Sequence, residues 1–422
     1  MGQPTAWGAE DREILVRAFR EESGRIVAAL IRLTGDWDLA EECTQDAFME
    51  ALRTWPESGV PSRPGAWLTT VARNRAYDRL RRATTESSKL RELAALTGDA
   101  GPGDPDDAAI PDDRLRLMFT CCHPALPLEA RVALTLRTLA GLTTAEIAHA
   151  FLLPTPTMAK RLVRAKQKIK NAAIPFRVPP PNLLPERTSG MLAVLYLLFN
   201  EGYASSGGVD LARDTLCTEA IRLTRALVEM LPAEPEAAGL LALMLLQHSR
   251  IRARVDPAGD MITLEDQDRS LWDRAEIDEA LALLDRTLNR RRIGPYQIQA
   301  AIAACHAEVS RAADTDWARI ASLYARLAEM TPSPVVELNR AVAVAMVDGP
   351  ETALRMVDDL DASGRLRDYH LLPALRADLL RRLGRRSDAA ASYRRALGLT
   401  ANDAERRYLS RRLEEVTGAA RA

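Results

Sequence analysis

The chain has 422 residues and a formal net charge of −1, its 57 lysines and arginines almost cancelling 58 acidic residues. That length accommodates two to four domains, each able to bury its own core, and near-neutrality restricts any statement about charged partners to local clusters. The first residues, MGQPTAWGAEDRE, hold no basic segment followed by an apolar run, and the longest apolar run, Met191–Phe199, is too short to span a bilayer. A cytoplasmic protein with no membrane association is expected.

Ala, Leu, Arg and Glu recur with helical spacing and strand signals are nearly absent, which predicts an all-α fold. Residues 7–96 read as four helices. One, Leu39–Trp55, turns Ala40, Cys43, Ala47 and Ala51 inward and leaves Glu41, Glu42, Gln45, Asp46 and Glu50 largely outside. Charge alone makes that a solvated face. A later helix, Pro64–Arg82, carries an apolar stripe of Leu68, Ala72, Ala76 and Leu80, widened by Val71. Arg73, Asn74, Tyr77 and Arg81 project elsewhere, a mixture suited to a nucleic-acid backbone and unstacked bases; Trp67 and Tyr77 could equally be packing residues. Residues 97–111, rich in Gly, Pro and Asp, predict an acidic linker.

Residues 112–175 form a compact helical segment whose end is the most informative stretch. Over 141–170 two helices and a short turn are expected, the second helix having two faces. Met158, Leu162, Ala165 and Ile169 make a buried stripe, while Thr157, Lys160, Arg161, Arg164 and Lys168 lie on another. Ile147 and Ala148 allow the helices to cross tightly. A basic helix held out by a short partner suits a DNA major groove. A solvated face is the alternative, but no Asp or Glu lies between Glu146 and Glu186, and solvated faces usually mix signs.

A proline-rich hinge is expected at 176–186. Beyond it, 187–422 is a series of amphipathic helices in which Glu219–Leu227, Glu279–Leu288 and Asp388–Leu397 share an acid-Ala start and a Leu ending. Leu327, Leu360 and Leu397 recur at spacings close to the ~34 residues of tetratricopeptide helix pairs, so a TPR-like array is predicted. It would bind peptides or other proteins, or pack only against its own chain. The five cysteines form no CxxC pair; Cys121-Cys122-His123 is a poor metal site, because adjacent thiols do not easily reach one tetrahedral ion. They are expected to be core residues. With no Gly-rich phosphate loop, metal-ligand spacing or nucleophile-base pair, neither an enzyme nor a cofactor or metal is expected.

Taken in order, the acidic DLAEECTQDAF helix, the WLTTVARNRAYDRLRR helix, the acidic linker and a terminal helix-turn-helix with RLVRAK resemble an extracytoplasmic-function (ECF) sigma factor of bacterial RNA polymerase. DDRLRLMFTCCHPAL and YLLFNEGYASSGG are similar to the subgroup with a TPR-like C-terminal extension. The resemblance implies two small sigma domains, the second with the helix-turn-helix, followed by the repeat domain. It implies that Asp38, Glu41, Glu42, Gln45, Asp46 and Phe48 dock on the clamp coiled coil of core polymerase, with further contacts to the flap. It implies that Arg73, Asn74, Tyr77, Asp78 and Arg81 recognise the promoter −10 element, and that Lys160, Arg161 and Arg164, with Thr157 and Lys168, face the −35 element. It further implies control through the fused domain, with Asn200, Glu201 and Tyr203 near an interdomain contact; Asn200 and Glu201 could instead be capping or buried hydrogen-bonding residues. A regulatory protein or peptide on the array is an expected partner. The alternative function is a helix-turn-helix regulator with a helical-repeat sensor domain.

Overall fold

A computed structural model describes residues 9–86, 110–151, 153–204, 211–256, 260–288, 293–400 and 403–418. Among them the sole β pairing is an isolated antiparallel bridge between Val255 and Met261, and the fold is all-α. The chain divides into two compact units, Met1–Leu197 and Leu198–Ala422.

The first unit opens with α1 (Ala9–Thr34), α2 (Trp37–Ser58) and α3 (Pro64–Glu86), mutually packed. Of the four helices expected over 7–96, these three lie in the described residues; the acidic linker expected at 97–111 lies outside them up to residue 109, and its last two residues begin the next helix. Helix α1 ends where Gly35 takes φ +67°, returning its N–H to the Ile31 carbonyl. Asp36 then caps α2 by accepting from the Leu39 N–H at 3.0 Å. Ala40, Cys43, Ala47 and Ala51 of α2 are fully buried, as are Leu68, Ala72 and Ala76 of α3. These small side chains let the helices approach closely, and Trp55 and Trp67 close one end of the seam edge to face at 5.5 Å.

Next come α4 (Ile110–Cys121), α5 (Leu128–Leu134) running into a π-helical turn at Thr135–Leu139, α6 (Thr144–Ala150) and α7 (Thr155–Asn171). Thr143 and Glu146 start α6 with a reciprocal capping box: each side chain accepts from the other's backbone N–H, at 3.1 and 2.7 Å. Helix α1 also packs on α4 and on the π turn. The expected hinge, 176–186, is held to α4 at both flanks: Thr120 Oγ1 donates to the Pro175 carbonyl, and Arg187 Nη2 donates to the Phe119 carbonyl at 2.8 Å. Helix α8 (Leu184–Ala204) follows.

In the second unit α9 (Leu211–Met230), α10 (Pro235–His248), α11 (Arg274–Leu288), α12 (Pro295–Ala307), α13 (Trp317–Met330) and α14 (Pro334–Val347) succeed one another, each packed on its neighbour in the chain. The same holds for α15 (Pro350–Ala362), α16 (Leu371–Arg382), α17 (Arg386–Leu399) and α18 (Asp403–Gly418). Of the repeating leucines, Leu327 and Leu360 are buried near the ends of α13 and α15 and Leu397 is partly buried near the end of α17, so they fall on every second helix. Helix α10 is apolar almost all round and buried from Ala237 to Leu246. It crosses α12 so closely that a Cβ on Gly239 would lie 2.8 Å from the backbone nitrogen of Gln297.

Candidate nucleic-acid interface

The helix-turn-helix carries two prolines at its turn. Pro154 is the N-cap of α7 and Pro156 falls in its first turn, where the backbone N–H has no intrahelical partner to lose. That fixes the start of the helix and hence its faces. Met158, Leu162 and Ala165 are buried, with Ile169 partly so, while Thr157, Lys160, Arg164 and Lys168 are exposed and Arg161 is half-buried. No carboxylate among the described residues pairs with Lys160, Arg161, Arg164 or Lys168. The outward face of α7 is thus an uncompensated cationic strip.

On α3, Asn74, Tyr77, Asp78 and Arg81 are exposed and Arg73 partly so. The Arg73 guanidinium lies 5.7 Å from the centre of the Tyr77 ring, a cation–π approach that restrains the ring without covering it. Arg81 pairs with Asp78 at 3.1 Å, one turn back along the same helix. A partly exposed aromatic ring beside guanidinium and amide groups is the chemistry that receives an unstacked base.

The acidic face of α2 is largely paired within the chain. Arg79 of α3 bridges Glu42 and Asp46, the latter at 2.8 Å, and Arg75 reaches Glu50 at 3.4 Å. The Glu50 carboxyl is held below its ordinary range, chiefly by its hydrogen bond from Arg53. Asp38 and Glu41 accept from Lys166 of α7 at 3.0 and 2.9 Å. Burial opposes the charge on Lys166, yet these two carboxylates outweigh it and hold the ammonium above its usual range. Gln45 stands exposed. Phe48 departs from the expected docking set: it is 5% exposed and packs edge to face on Phe19 of α1 at 4.8 Å, so it supports the helix from inside. Met49 and Leu52, which the sequence reading passed over, are the apolar side chains this face offers to solvent, at 64% and 44% exposure.

Asn200, Glu201 and Tyr203 lie in the last turns of α8, all half-buried. The Tyr203 ring stacks on Phe199 at 5.4 Å and lies 3.8 Å beneath the Arg254 guanidinium, which also donates to the Tyr203 carbonyl. The SSGG turn that follows is outside the described residues. All five cysteines are buried; burial pushes the Cys122 thiol up to about 11, which leaves it unreactive. Among the described residues no group of His, Cys, Asp and Glu is arranged to hold a metal, and no helix is long and apolar enough to cross a membrane.

Sigma-70 region 2 matches residues 18–86, spanning α1 to α3, and Sigma-70, region 4 matches residues 116–169, spanning α4 to α7. A probable ECF RNA polymerase sigma factor, SigI, of Mycobacterium tuberculosis (strain ATCC 25618 / H37Rv) is 30% identical over 166 residues, 39% of this chain and 57% of its own length. The ECF RNA polymerase sigma factor SigK of Mycobacterium ulcerans (strain Agy99) is 26% identical over 162 residues, 38% of this chain and 86% of its own. The chain belongs to the ECF sigma factors. It directs transcription initiation. The C-terminal part of this sigma factor matches a family of unknown function (DUF6596) over residues 187–288. An uncharacterized protein of Rhizobium meliloti (strain 1021) is 45% identical over 394 residues, 92% of this chain and 93% of its own, so the similarity includes the extension. No solved structure matches the chain.

Proposed function

We propose that α2, α3 and α7 divide the work of the sigma factor. Helix α2 docks on the clamp coiled coil of core polymerase through Asp38, Glu41, Glu42, Gln45 and Asp46, with Met49 and Leu52 adding apolar contact beside the carboxylates. Helix α3 captures the −10 element. Extruding a base costs a few kcal/mol, and stacking on Tyr77 returns about 1–3 kcal/mol per base, with hydrogen bonds from Arg73, Asn74 and Arg81 adding to it. Helix α7 enters the −35 major groove with Thr157, Lys160, Arg161, Arg164 and Lys168 outward, where guanidinium groups read guanine edges or hold phosphates. The partners are core polymerase, at its clamp coiled coil and flap, and promoter DNA; the chemistry of initiation stays with the polymerase.

One observation supports this division above the rest. Two cationic helix faces, on α3 and α7, stand outward on the two domains matched to sigma regions 2 and 4, and no carboxylate among the described residues neutralises the α7 strip.

The C-terminal helices carry the control. The hold of Arg254 on Tyr203 anchors the end of α8 in the second unit, a firm origin for an array that takes a regulatory protein or peptide. Because both flanks of 176–186 are held to α4, the informative truncation ends after Leu197 rather than within the proline run. Promoter output by core polymerase with the full chain and with residues 1–197 should differ severalfold. Equal output would eliminate control by the extension.

A further inference from the structure

Lys166 differs from the other cations of α7. Lys160, Arg164 and Lys168 face solvent, whereas the Lys166 side chain is 18% exposed and directed across the first unit onto α2, at 3.0 Å from Asp38 and 2.9 Å from Glu41. A second ion pair ties the same two parts together: Arg32 of α1 reaches Asp113 of α4 at 2.7 Å, and Asp113 is 3% exposed. In the same unit α1 approaches the π turn backbone to backbone. A Cβ on Gly24 would lie 3.0 Å from the Leu139 carbonyl oxygen.

We infer that, away from polymerase, the sigma factor keeps its docking helix shut with its own −35 helix: Lys166 occupies Asp38 and Glu41, and core polymerase must displace it to bind. The inference rests on the docking role given to α2 above. Two features make the contact reversible rather than part of a fixed core. Glu41 is imperfectly satisfied, since its Oε1 is buried without a hydrogen-bond partner among the described residues while its other oxygen accepts from Lys166. Beside the pair lies a cavity of about 510 Å³ lined by Trp37, Val163, Lys170, Ile174 and Phe176, so α7 does not pack flush on α2. A basic surface on the polymerase clamp can offer the carboxylates what Lys166 offers, and separation returns Glu41 Oε1 to a hydrogen-bonding environment.

The test uses the full-length chain. Carbodiimide coupling joins an amine to a carboxylate only when they touch. In the free chain, peptide mass spectrometry should find Lys166 coupled to Asp38 or Glu41, and saturating core polymerase should cut the yield about tenfold. Gly24→Val, which wedges α1 from the π turn without touching either binding face, should lower the yield and tighten core binding about tenfold. Lys166→Gln should tighten it about threefold, measured without DNA, and serves if the valine variant fails to fold. The inference is overturned if the free chain shows no coupling, if coupling survives in the polymerase complex, or if folded variants bind core no more tightly. A coupled chain that never binds core would sink the docking role itself, a result distinct from bound core with the coupling intact.

Discussion

Between α2 and α3 the outer edge of the seam is closed by charge, with Arg79 reaching Glu42 and Asp46 and Arg75 reaching Glu50. Between α10 and α12 it is closed by shape, with Gly239 against the Gln297 backbone and the Glu236 carboxylate accepting from the N–H groups of Tyr296 and Gln297 at the start of α12. The difference is functional. Exposed ion pairs contribute little stability and exchange partners readily, which suits a surface that must meet polymerase and DNA. Close apolar packing contributes more and cannot be exchanged, which suits an array whose spacing must persist.

Substitutions should reveal that contrast in order of size. Gly239→Val in the second unit should cost about 3 kcal/mol, because the neighbour it strikes is backbone; a denaturant titration showing less than about 1 kcal/mol would mean that the seam yields. His306 comes next. Burial first, then Arg250 and Arg269, lowers its pKa to about 4 from 6.5. Between those values the unfolded chain binds the proton and the folded chain does not, so stability falls as pH drops from 6.5 towards 4, by on the order of 2 kcal/mol. Replacing His306 with Gln should flatten that part of the pH profile, and an unchanged profile would place the acid sensitivity elsewhere.

In the first unit, Arg164→Ala should weaken promoter binding about tenfold and make its salt dependence shallower by about one unit, at little cost in stability. An undiminished slope would mean that the residue touches no phosphate. Smallest of all, Arg79→Ala should cost less than about 1 kcal/mol despite removing two ion pairs, since its side chain is 38% exposed and its partners more so. A loss of several kcal/mol would show that the charged seam is structural after all.

What the sequence made legible was whatever repeats along one helix. The stripe of Leu68, Ala72 and Ala76 and the two faces of α7 follow from helical period, and Leu327 and Leu360 follow from the repeat. Contacts between distant segments left no such mark. Phe48 sits in an acidic helix and reads as a surface residue until Phe19 is brought against it. Lys166 meets Asp38 and Glu41 across 128 and 125 residues, with no periodicity to announce the pairing. The stretch 176–186 reads as a hinge because prolines break helices, yet the carbonyls of Pro175 and Phe119 find donors that hold its two flanks to α4.

In the proposed division of work, α2, α3 and α7 together make core polymerase start at particular promoters. Run-off transcription from a fragment library, with core polymerase and this chain as the sole sigma factor, tests it most directly. Discrete transcripts sharing common −10 and −35 sequences, lost together when Arg73 and Arg164 are replaced by alanine, are the result expected. Transcription no different from core polymerase alone, with the chain folded and both cationic faces intact, would contradict it.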